Sequence, residues 1–111
     1  MNVLEFAKKY DFKVFTDEKV AEKREIKGCY IGDLLSWVMS RAKESSAWVT
    51  VMGNVNAVAV AVLADISCIV LAENSTLDED AKIKADEHDI PILRTDIPQY
   101  ELCVAIDKLL K

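Results

Sequence analysis

Residues 47 to 72 read AWVTVMGNVNAVAVAVLADISCIVLA, and this stretch constrains the fold more than any other. Ala47 to Met52 and Ile66 to Ala72 are each too short and too continuously apolar for anything but strands buried on both faces. Between them, after Gly53, Asn54 to Ala64 has the length of a helix. Two buried strands joined through a helix require a right-handed crossover, which makes them parallel neighbours. The chain is therefore predicted to be an α/β domain whose sheet is covered by helices on both faces.

The flanking segments extend that reading. Leu4, Phe6, Ala7 and Tyr10 predict a short first helix, and Lys13 to Thr16 a short strand that turns Val14 inward. Charges alternate from Asp17 to Glu25, which predicts an exposed loop before a strand at Ile26 to Ile31. Asp33 is positioned to cap a helix whose buried stripe is Leu34, Leu35, Val38, Met39 and Ala42. Thr76 and Glu79 have capping-box spacing for a helix running to about His88. Ile90 to Leu93 is the next strand, with Pro91 near its start. Asp96 then caps a last helix, with Pro98 in its first turn and Leu102, Ile106, Leu109 and Leu110 as its buried stripe. The expected architecture is a three-layer domain on a mostly parallel sheet, with three core strands and an N-terminal strand added.

Size and charge narrow the function. The 111 residues form one domain, 51% apolar, with a core sufficient to fold without staples. The net charge of -5, with no basic cluster on one predicted face, excludes a nucleic-acid surface. The apolar run from Val55 to Ala64 is broken by Asn56 and is about half of a membrane span. The N-terminus lacks the order of a signal peptide, so a cytoplasmic protein is expected. Cys29, Cys68 and Cys103 are widely spaced and form no C-x-x-C pair, which reads as small buried hydrophobes in a reducing compartment. His88 is the lone histidine, so no zinc set and no second histidine-based triad can be built. Asp78, Glu79 and Asp80 fit a helix first turn rather than a catalytic dyad. No enzyme activity and no resident cofactor or metal are expected.

The order T-x-x-G, an alanine-rich helix, I-V-L before a polar turn, I-P-I-L and then T-D-I-P, followed by Tyr100 and Glu101, resembles the DRTGG domain family. Thr50, Gly53, Ala57, Ala61, Ile69 to Leu71, Ile90 to Leu93, Thr95 and Asp96 carry the resemblance. The upstream GCYIGDLLSWVMSRAK is similar to small stand-alone members encoded beside iron-hydrogenase and signalling genes. Where the family has Asp-Arg after the glycine, this chain has Asn54-Val55, and Ala72-Glu73-Asn74 replaces Thr-Gly-Gly. The resemblance implies a fold like the N-terminal domain of HPr kinase and a non-catalytic regulatory module, of the kind inserted between CBS domains in some pyrophosphatases.

In a parallel sheet the ligand crevice lies at the carboxyl ends of the strands. The candidate ligand residues are therefore Gly53 and Asn54, Glu73 and Asn74, and Thr95 and Asp96, at three turns expected to leave N–H groups free at helix starts. Glu73 and Asp96 against Arg94 make these loops acidic, which predicts weak metal-free binding of a highly charged nucleotide and better binding of a neutral or Mg²⁺-bridged ligand. Trp37 and Trp48 sit at the edges of apolar faces, where large aromatics are enriched in subunit contacts, and Trp37 is the interface candidate of an expected homodimer. Two functions remain open. One is a module that senses a small molecule such as an adenine nucleotide. The other is a structural dimeric protein that docks on a partner enzyme or kinase, for which the same Asn54, Asn56, Glu73 and Asn74 can read a protein backbone.

Overall fold

A computed structural model of residues Met1–Lys111 contains one five-stranded sheet of order β1-β5-β4-β3-β2. The strands are β1 (Lys13–Val14), β2 (Gly28–Ile31), β3 (Ser46–Thr50), β4 (Cys68–Leu71) and β5 (Ile92–Arg94). β2 to β5 are mutually parallel and β1 lies antiparallel on β5. The parallel set is thus four strands rather than three, because Gly28–Ile31 aligns with Ser46–Val49 and joins it. The helices are α1 (Val3–Lys9), α2 (Glu18–Lys23), α3 (Leu35–Arg41), α4 (Val55–Leu63), α5 (Glu79–Glu87) and α6 (Gln99–Leu110).

Every residue of β3 and β4 is buried, as expected of strands covered on both faces. Successive side chains alternate between two cores. Ala47, Val49, Cys68, Val70 and Leu93 pack under α1, α2 and α6, while Trp48, Ile69, Leu71 and Ile92 pack under α3, α4 and α5. This is the three-layer α/β arrangement expected from the sequence. No helix is long and apolar enough to cross a membrane.

With only three glycines in the chain, helix termination relies on aspartate. α1, α4 and α5 end in the same way: Asp11, Asp65 and Asp89 adopt φ of 56°, 54° and 56°. The next N–H, of Phe12, Ile66 or Ile90, then reaches back to Ala7, Ala61 or Ala85 O at 2.8 to 3.0 Å. Each is a Schellman motif, written in the sequence as Ala-x-x-x-Asp-apolar, and each turns the chain directly into a buried position.

Several local expectations are corrected. Asp17 to Glu25 is not a loop but holds α2, because Asp17 Oδ1 accepts from Lys19 N at 2.9 Å and Ala21 supplies one buried contact. Asp33 does not cap α3, whose N-cap is Leu34. Of the α3 stripe, Val38 alone is buried, with Leu35 and Ala42 partly so and Leu34 and Met39 exposed. The short helix reaches the core with one residue only. The Thr76 capping box does not form, since α5 starts two residues later, with Asp78 at its N-cap. Asp96 does not cap α6, which starts after Pro98. In α6 Leu102 and Ile106 are buried, whereas Leu110 is at the exposed end. Trp48 is fully buried rather than at an edge, and its Nε1–H donates to Gly32 O at 2.9 Å.

Candidate functional site

β3, β4 and β5 are adjacent and parallel, so the turns that leave them lie side by side at one edge of the sheet. Gly53, Asn54, Glu73, Asn74, Thr95 and Asp96 all fall along this edge. Gly53 does not have a positive φ. A Cβ there would overlap the Thr76 carbonyl oxygen, with its carbon at 2.9 Å and Leu77 Cα at 3.0 Å. Gly53 O also accepts from Asp78 N at 2.8 Å. The glycine therefore lets the β3–α4 turn press on the loop segment leading into α5. Asn54 is the N-cap of α4, its Oδ1 accepting from Ala57 N at 2.9 Å. The N–H groups of Gly53 and Asn54 have no protein acceptor.

The second turn has a different character. Glu73 and Asn74 both have φ of 55°, a left-handed conformation that glycine adopts most readily. The conformation directs Glu73 N to Ile97 O at 3.1 Å and Asn74 N to Thr95 O at 2.7 Å. The expectation of free N–H groups is therefore corrected at this turn, where both are consumed in joining the β4–α5 and β5–α6 loops. Thr95 is buried, donates its own N–H to Leu71 O and accepts from Ile97 N at its hydroxyl. Asp96 is exposed. In the β4–α5 turn, next to Asn74 in the chain, Ser75 Oγ is the one buried side-chain polar atom without a hydrogen-bond partner.

Two features of this edge were not read from sequence. Asp33 Oδ1 accepts from Thr50 Oγ1 at 2.6 Å, Val51 N at 3.0 Å and Gln99 Nε2 at 3.3 Å, tying the ends of β2 and β3 to the start of α6. The other is Lys13. The antiparallel pairing of β1 sets Lys13 opposite Arg94, and both line a cavity of about 440 Å³ with Tyr10, Asp11, Asn74 and Asp96. Arg94 is therefore not the only cation at this edge, but Asp11 arrives with Lys13, so the net charge counted from the three loops is unchanged. A register between strands nearly 80 residues apart brings Lys13 there, and no local pattern signals it.

The cysteines divide into two kinds. Cys68 is buried as expected, and desolvation pushes its thiol up to about 12, with Arg24 opposing. Cys29 is exposed and Cys103 half-buried, and their sulfurs lie 3.8 Å apart between β2 and α6. Desolvation raises both thiols. The Cys103 neighbour raises Cys29 further, while the sulfur contact holds Cys103 down. All three are poor nucleophiles at neutral pH.

No family model matches the sequence, and no curated protein does so either. Among solved structures, the chain is similar to the CBS and DRTGG domains of the regulatory region of a Clostridium perfringens pyrophosphatase, solved in complex with its activator, diadenosine tetraphosphate. The TM-score is 0.70 at 8% identity, over 98% of this chain. This chain spans 46% of that one. At that identity the likeness is one of fold: the five-stranded sheet and its two helical layers are similar to part of that regulatory region.

Proposed function

We propose that this protein is a non-catalytic regulatory module that binds a small molecule, such as an adenine nucleotide, at the carboxyl edge of its parallel sheet. The observation that carries the reading is the convergence there of three turns from adjacent strands. Gly53 and Asn54 leave N–H groups unused, Ser75 leaves a hydroxyl unpartnered, and Asn74, Thr95 and Asp96 rim the cavity that holds Lys13 and Arg94. Such edges are the usual ligand crevices of parallel α/β sheets. Glu73 contributes through its backbone, which fixes one turn against the next. The similar fold in a nucleotide-activated pyrophosphatase supports a nucleotide as the ligand to test first. Titration with adenine nucleotides, with and without Mg²⁺, followed by amide NMR, is expected to shift Gly53, Asn54, Asn74 and Thr95 together. Shifts confined to other surfaces, or none, would remove the reading.

A second reading is favoured by a separate observation. Ile31, Leu34, Trp37 and Met39 are all exposed on β2 and α3, although each is large and apolar. Trp37 is 51% exposed, and the Arg41 guanidinium lies over its ring at 3.7 Å. An edge strand followed by an apolar helix face suits subunit contact. On this reading the protein is a homodimer joined through Trp37 that docks on a partner enzyme or kinase. On this reading the sheet's carboxyl edge contacts a partner's backbone and holds no small molecule, so the nucleotide titration separates the two. Sedimentation at micromolar concentration is expected to give twice the 12.4 kDa chain mass.

A further inference from the structure

We propose that Lys13 and Arg94 are the phosphate anchor of this protein, and that its ligand is a phosphate ester carrying hydroxyl or amino groups. The inference rests on the ligand-binding reading above and specifies its chemistry.

Lys13 and Arg94 are direct cross-strand partners, so both side chains stand on the same face of the sheet. Like charges in that position repel. Phe15, just past β1 and two residues after Lys13, contacts both through its ring: Lys13 Nζ is 4.7 Å and Arg94 Cζ 4.8 Å from the ring centroid. One ring thus serves both cations at a sheet edge. No carboxylate neutralises either one. The ion pairs of the chain are the N-terminus with Glu25, Lys82 with Asp86 and Lys111 with Asp107. Two positioned cations with no carboxylate in ion-pair contact fit a doubly charged oxyanion, to which guanidinium and ammonium each donate.

The surroundings specify the rest of the molecule. The cavity of about 440 Å³ is far larger than a phosphate and lies in the range that holds nucleotide-sized ligands. Asn74 supplies a neutral amide at its rim, and Asp11 and Asp96 supply acceptors suited to hydroxyl or amino groups. Those two carboxylates balance the two cations in number, so the whole cavity does not attract anions indiscriminately. A polyanion without donors gains only the cation pair, whereas a phosphate ester with donors gains both halves.

The test uses three probes, pyrophosphate, adenosine and ADP, on the full chain and on K13Q, R94Q, the double variant and K13R, each first checked for an unchanged melting profile. ADP is expected to bind with each neutralising substitution costing about tenfold in affinity and K13R nearly none, as for the loss of one charge-assisted contact. Pyrophosphate alone is expected to shift the Lys13, Asn74 and Arg94 amides, and to lose those shifts in the double variant. ADP binding that is unaffected by the double substitution would overturn the anchor while leaving a ligand at the edge. Pyrophosphate shifts without any adenosine-dependent gain would uphold the anchor and discard the adenine nucleotide. Silence at these amides with all three probes would overturn it.

Discussion

Gly53→Ala is the sharpest test of how the sheet edge is built. The φ at this position is not positive, so alanine brings no conformational strain. The cost is therefore steric. The added Cβ would overlap Thr76 O and lie 2.9 Å from Thr76 C and 3.0 Å from Leu77 Cα. Carbon pairs prefer about 3.5 to 4.0 Å, so the two backbones must part by roughly 0.5 Å or more. Backbone atoms cannot rotate away as a side chain would. Overpacking of this kind costs about 1–3 kcal/mol. The separation also strains the 2.8 Å bond from Asp78 N to Gly53 O at the start of α5, and a lost hydrogen bond adds about 1 kcal/mol. The sum, roughly 2–4 kcal/mol, is a large part of a typical stability of about 5–15 kcal/mol. Urea unfolding is expected to show a lower midpoint at unchanged slope, because the surface exposed on unfolding is the same. A midpoint equal to that of the parent would refute the close approach. It would leave Gly53 no role except contact with a ligand.

Four further outcomes are expected. Val60→Asp buries a carboxylate on α4, where Val60 is 8% exposed, and is expected to abolish cooperative unfolding at a cost of several kcal/mol; soluble protein with a sharp melt would show that this face is open. Asp65→Gly relieves a left-handed aspartate at the end of α4 and is expected to raise stability by about 0.5–1 kcal/mol in urea titration. Trp37→Ala is expected to weaken the dimer by about 2 kcal/mol in sedimentation equilibrium without lowering monomer stability. Cys68 has its folded pKa raised from 9.0 to about 12, so its stabilisation is complete below pH 9 and is lost as pH climbs toward 12. The folding constant is expected to fall up to tenfold per pH unit in that window from this thiol alone, and Cys68→Ala should flatten the decline.

The sequence by itself determined the class of fold. The continuous apolar runs at β3 and β4, with an alanine- and valine-rich helix between them, have no other arrangement that buries both strand faces, and the crossover handedness follows from chain chirality. It also placed the three turns at one edge, since parallel strands point their ends the same way. Other features depended on tertiary structure for identifiable reasons. Helix starts at Asp33, Thr76 and Asp96 were misplaced because these polar residues have capping chemistry but other partners were within reach or the helix began later; Asp33, for instance, bonds Thr50, Val51 and Gln99 instead. The six residues of α2 are too few for a period to emerge from alternating charges. The left-handed Glu73 and Asn74 give no local signal, because neither is glycine, and the conformation is held by carbonyls of Thr95 and Ile97 from the next loop. The meeting of Lys13 with Arg94 and of Cys29 with Cys103 is likewise set by strand register and helix docking across most of the chain. Periodicity records which face of an element is buried, but only packing decides which distant residue stands opposite.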